Sequence, residues 1–146
     1  MRTDDEIEAL ARSFEAATLP RPEWTHAAHL TVALWHLRRY PRDEATCRLR
    51  EGIRRLNRGY GNLTGYHETI TLAWVAVVAG FLAEHDRGQP TRALAGALVE
   101  SCGDPGYLLR FYSRPVLASD RARGSWVPPD LRPIERGEDD GRGLRS

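Results

Sequence analysis

The chain contains no lysine; all 21 of its basic residues are arginine. This absence excludes Schiff-base chemistry on a lysine, a phosphate-binding Walker lysine and every other reaction that needs a lysine amine. Cysteine is nearly absent too. Cys47 and Cys102 are the only two, and their wide separation argues against a cysteine zinc site or a disulfide framework. Long apolar runs are missing as well: the longest, around 72–82, falls short of the ~20 residues that span a bilayer. Residues 1–6 are acidic and lack the apolar segment of a signal peptide. These features together read as a cytoplasmic protein. A net charge of +1 gives no global electrostatic case for nucleic acid or an anionic membrane as partner.

What is present is the make-up of one soluble domain of 146 residues, 41% apolar and 28% charged, large enough to bury a substantial core. Thr3 and Glu6 have the spacing of a capping box, and Ile7, Leu10, Ala11 and Phe14 then recur at helical intervals, so a first helix ends near Ala17. Two prolines, Pro20 and Pro22, make the next connection extended. Thr25 caps a second helix that Pro41 stops near Tyr40. A third, over about 43–57, puts Ala45, Leu49, Ile53 and Leu56 on one stripe and arginines around the rest. The sequence Gly59-Tyr60-Gly61-Asn62 ends it.

Thr64 is the expected cap of the fourth helix, which runs to about His85 and is apolar around nearly its whole circumference. That pattern marks it as the central helix. A fifth follows over about 91–102, and residues 107–112 allow one or two further helical turns. Four prolines between 115 and 133 then favour an extended segment wrapped over the bundle through Val116, Leu117, Trp126, Val127 and Leu131. The fold class is therefore all-α: a single-domain bundle of about five helices over 1–134 with an extended C-terminal wrapping segment. The polar, glycine-rich residues 135–146 are expected to be a disordered tail.

Two polar clusters stand out against this frame. Trp24-Thr25-His26-Ala27-Ala28-His29-Leu30 opens the second helix, and Gly65-Tyr66-His67-Glu68-Thr69-Ile70-Thr71 opens the fourth. Short connections make successive helices antiparallel, so the second and fourth should run the same way and start at the same end of the bundle. His26 and His29 lie one turn apart on one face. His67, polar on an otherwise apolar stripe, should join them.

Three histidines at helix starts, held neutral by the positive end of each helix dipole, suit a divalent transition metal, zinc before iron(II). Glu68 then serves as general base, as fourth ligand or as an orienting group, with Glu23 a second carboxylate candidate, and Tyr66 lies beside it. Tyr60, Asn62, Arg54, Arg58 and Arg110 are candidate contacts to a small polar or anionic substrate. Hydrolase or lyase chemistry fits such a site. Two other readings stay open: a metal-free small-molecule-binding module using the same side chains, and an interaction protein that uses the arginine face of the third helix. A homodimer is compatible with either.

The bland reading of each residue is structural. A histidine at a helix start is often only a hydrogen-bonded residue, and Glu68 in a first turn favours the dipole and can pair with Arg54 or Arg58. His36 and His85 lie too far along their helices to join the cluster and read as structural. The tryptophans read as core or pocket wall.

The two clusters, together with Trp74 and the sequence Trp126-Val127-Pro128-Pro129-Asp130-Leu131-Arg132-Pro133, resemble a family of small bacterial proteins with no established activity. The resemblance covers most of residues 24–133. It implies that these stretches form one constellation and supplies no reaction. Where members are more acidic before the tryptophan, this chain has Asp120-Arg121-Ala122-Arg123-Gly124-Ser125.

Overall fold

The computed structural model describes residues 2–134, and these are helical with no strand among them. The main elements are α1 (Asp4–Ala16), α2 (His26–Arg39), α3 (Arg42–Gly59), α4 (Glu68–His85) and α5 (Thr91–Cys102). Two short helices, α6 (Arg114–Leu117) and α7 (Asp120–Gly124), follow, with single 3-10 turns at Arg21–Glu23 and Tyr107–Arg110. The expected tail, 135–146, lies outside the described residues.

Local chemistry accounts for most of the boundaries. Thr3 and Glu6 form the capping box, each side chain accepting from the other's backbone N–H at 3.1 and 2.8 Å. α1 closes through Ala17, which takes a left-handed conformation (φ 59°), and the N–H of Thr18 reaches back to the Ser13 carbonyl. Thr25 caps α2 by accepting from the N–H of Ala28 at 3.2 Å.

α4 departs from expectation at its start. Thr64 does not cap it: the helix begins at Glu68, and His67, in extended backbone conformation, is the N-cap. The His67 imidazole nitrogen Nδ1 accepts from the N–H of Ile70 at 3.0 Å, the role that a threonine hydroxyl plays at the start of α2. Histidine is not among the preferred capping residues, which is why the sequence pattern pointed to Thr64.

α2 and α4 lie against each other at the centre, with α1, α3 and α5 around them. Leu30, Val32 and Leu34 of α2 and Ala73, Val75 and Val78 of α4 share one apolar core with Phe14, Leu49, Leu56 and Leu98. By length and mean hydropathy α4 would qualify as a membrane-crossing helix; here it packs as the centre of the bundle. At Gly52 a side chain would collide with the Phe14 ring, so this glycine sets how closely α1 approaches α3.

The C-terminal segment wraps α4 and is partly helical, since α6 and α7 interrupt its extended course. Both short helices start with serine caps, Ser113 and Ser119, which the proline count had obscured. Named hydrogen bonds fasten the segment. The buried Thr69 hydroxyl donates to the Ser125 carbonyl at 2.7 Å and accepts from the N–H of Val127 at 3.0 Å. The buried Tyr112 hydroxyl donates to the Val127 carbonyl at 2.6 Å. Asp130 accepts from the N–H of Ser113 at 2.8 Å.

Candidate functional site

The starts of α2 and α4 and the end of α3 enclose a cavity of about 560 Å³, within the usual range for small-molecule sites. His26 and His29 line it from α2, and His67, Ile70 and Thr71 from α4. Asn57 and Tyr60 close it from the end of α3, with Asn62, Gly65 and Tyr66 in the loop that follows. Trp24, Trp74, Leu30, Ile53 and Val75 make the larger part of the wall apolar.

The histidines differ sharply in how they are held. His67 is buried and uses both ring nitrogens: with Nδ1 accepting from Ile70, Nε2 carries the proton and donates to the Leu117 carbonyl at 2.7 Å. It joins α4 to α6. Nε2 of His26 is buried without a protein partner among the described residues. Such an orphaned group costs on the order of 1–3 kcal/mol.

Both imidazoles pack against aromatic rings. His29 stacks on Trp24 with centroids 3.8 Å apart, and Trp24 stacks in turn on Phe14 at 5.2 Å. His26 meets the Trp74 ring at 4.9 Å, edge to face. Burial lowers the pKa of both imidazoles, His29 to about 4 with a further push from His26, while the charge of Asp104 partly restores that of His26. Both are neutral at pH 7, so each offers one N–H and one lone pair.

Glu68 does not line the cavity. Arg50 holds its carboxylate in a two-point ion pair at 2.9 and 3.1 Å, and the Tyr66 hydroxyl donates to it at 2.6 Å. Burial alone would raise its pKa, but Arg50 and Tyr66 outweigh that and hold it below the ordinary carboxylate range. A carboxylate so engaged is a poor base. The pairing partner is Arg50 rather than Arg54 or Arg58, because Arg50 reaches α4 while Arg54 lies over the Tyr66 ring at 4.5 Å.

The Tyr66 hydroxyl, tied to Glu68 and raised in pKa first by burial, points its polar end away from any free role. The Tyr60 hydroxyl donates to the Leu19 carbonyl at 2.7 Å, so Tyr60 offers the cavity its ring. Arg58 is exposed and does not line the cavity. Arg110 belongs to another cavity, of about 320 Å³, where it lies over the Tyr107 ring at 4.6 Å. Of the substrate-contact candidates, Tyr60 and Asn62 reach the cavity; Arg54, Arg58 and Arg110 do not.

As arranged, these side chains do not fit a metal centre built on His26, His29 and His67. The His67 nitrogens are engaged in two backbone hydrogen bonds and Glu68 is engaged by Arg50. Among the described residues no group of three or more His, Cys, Asp or Glu side chains is placed to hold a metal ion.

Arg21 and Asn57 line the cavity without having been singled out in the sequence. Asn57 could have been found: it continues the Leu49, Ile53 stripe at four-residue spacing, the one polar group on that face. Arg21 sits between Pro20 and Pro22, and no periodic signal reaches such a position. Comparison with known protein families, curated proteins and solved structures finds no match to this chain.

Proposed function

We propose that the cavity is a metal-free binding site for a small, largely apolar molecule whose polar group hydrogen-bonds to His26 and His29. The observation that carries this reading is the buried, unpartnered Nε2 of His26 at the wall of a cavity that His29 also lines. The great majority of buried polar groups are hydrogen-bonded, and an exception at a cavity wall calls for an explanation, which a bound molecule would supply. The apolar wall supplies area for burial, and the two neutral imidazoles supply orientation.

Tryptophan fluorescence during a small-molecule screen tests it, because Trp24 and Trp74 line the cavity. Bound molecules should change the emission, binding should weaken at least about tenfold in His26→Ala, and chelator should leave it unchanged. Binding or turnover that appears only with added zinc or iron(II), and is abolished by chelator, would instead support the metal-dependent enzyme. That outcome requires His67 to give up at least one of its two bonds. The interaction-protein reading has less to use: on α3, Arg50 is paired with Glu68 and Arg48 with Glu44 and Glu15, and Arg55 donates to the Glu15 carbonyl.

A further inference from the structure

The charge around the cavity is one-sided. No acidic side chain lines it among the described residues, whereas Arg21 does. Arg21 makes no ion pair among the described residues; its guanidinium lies 5.8 Å from the centre of the Tyr60 ring. Of the other arginines near this end, Arg58 is exposed and outside the lining, and three are already engaged. Arg50 is paired with Glu68, Arg54 covers Tyr66, and Arg123 donates to the carbonyls of Thr64 and Tyr66 at 3.1 and 3.2 Å. α2 and α4, of 14 and 18 residues, both begin at the cavity, so the positive ends of two helix dipoles face whatever enters. Asp104 acts on His26 from outside the lining and Glu23 on Tyr60, and neither provides a carboxylate inside.

A cation would find no counter-charge on the lining itself. An anion finds Arg21, the Asn57 and Asn62 amides and one N–H from each neutral histidine. The number of donors limits the size of that anion: one guanidinium amid a mostly apolar wall suits a singly charged carboxylate better than a phosphate monoester, whose charge and three oxygens need a denser set. The rest of the lining is largely apolar. Trp24 and Trp74 flank the histidines, with Ile53 and Ile70 also in the wall.

Resting on the reading of this cavity as a ligand site, we infer that its ligand is an aromatic or other apolar carboxylate, with its apolar part against Leu30, Ile53, Ile70 and Val75 and its anionic group at Arg21. Affinity then comes from buried apolar area and selectivity from Arg21 and the histidine N–H groups. A neutral analogue of the same shape loses the charge-assisted bond and keeps the rest.

Matched pairs of probes test this by calorimetry at pH 7 and low salt: indole-3-acetate against indole-3-acetamide, and 2-naphthoate against 2-naphthamide, with phenyl phosphate against benzoate as the third comparison. The carboxylates should bind about tenfold or more tightly than their amides. Arg21→Ala should abolish that preference by weakening the carboxylates far more than the amides, and Arg21→Lys should restore part of it. Equal or tighter binding of the amides overturns the anionic class and leaves the ligand site standing. Phenyl phosphate binding more tightly than benzoate overturns the carboxylate. If no probe of either charge binds up to millimolar concentration, the ligand site and this inference fall together.

Discussion

His67 and His26 line one cavity, yet the protein treats them in opposite ways. His67 is closed into the fold: one nitrogen caps α4, the other holds the Leu117 carbonyl, and the ring is buried. His36 is treated similarly, fully buried with Nδ1 donating to the Val32 carbonyl at 2.8 Å and Nε2 facing the Glu15 carboxylate at 3.1 Å. His85 donates to the Phe81 carbonyl at 2.9 Å and stacks on that ring. The rings of His26 and His29, by contrast, lie against Trp74 and Trp24, and Nε2 of His26 is buried without a partner among the described residues. The difference separates histidines that hold the structure together from histidines the structure holds in place for something else. Residue type and position at a helix start do not distinguish them; the neighbours of each nitrogen do.

The largest expected effect is on the closed side of this comparison. His67→Ala removes a helix cap and leaves the Leu117 carbonyl without its donor, which together should cost about 2–4 kcal/mol in urea unfolding. His67→Asn, which can still cap, should recover about 1 kcal/mol of that. If His67→Ala unfolds at the same urea concentration as the parent, His67 does not hold α4 and α6 together. It would then be available to join the other two histidines.

How much of this could be read from the sequence follows from which interactions are local. The amphipathic stripes of α1 and α3, the Thr25 cap and the proline stop after Tyr40 are set by residues a few positions apart, and they predict the helices. The convergence of the α2 and α4 starts follows from chain direction alone, and the cavity includes residues from both. Hydrogen-bond partners are another matter. Leu117 lies 50 positions from His67, and Arg50 lies 18 from Glu68. No spacing rule announces either bond, so His67 looked free in the sequence and the partner of Glu68 was expected at Arg54 or Arg58. The serine caps of α6 and α7 were written in local sequence but overshadowed by the surrounding prolines, and Arg21 reaches the cavity only through the path of a proline-flanked turn.

An intermediate effect lies in the pH dependence of the ring-packed pair. The folded-state pKa of His29 is lowered from 6.5 to about 4 by burial and by His26. The unfolded chain therefore binds this proton more readily between those values. Stability from His29 is complete above pH 6.5 and is lost as pH falls toward 4, by up to about 3 kcal/mol. Carboxylates titrate in the lower part of the same window, so the informative quantity is the difference between the parent and His29→Gln, measured by urea unfolding from pH 7 to 4.5. The parent should lose more stability than the variant. A His29 that titrates near 6.5 by NMR in the folded protein would show that its ring is solvated, and the contrast with His67 would weaken.

The smallest effect is the most discriminating, because its sign is unusual. His26→Leu keeps an apolar ring-sized group against Trp74 and removes the buried, unpartnered Nε2. Replacing a structural histidine by leucine destabilises a protein through the bonds it breaks; here the buried Nε2 has no described partner to lose. The variant should therefore be as stable as the parent or more stable by about 1 kcal/mol, while losing at least about tenfold in affinity for molecules bound in the cavity. Proteins keep destabilising polar groups where function needs them, and a gain in stability coupled to a loss of binding is the mark of such a group. A loss of 2 kcal/mol or more on the order of that expected for His67→Ala would place His26 among the structural histidines and remove the main support for a ligand site. A stability gain with unchanged binding would leave the cavity in place and move the recognition of its ligand to His29 and Arg21.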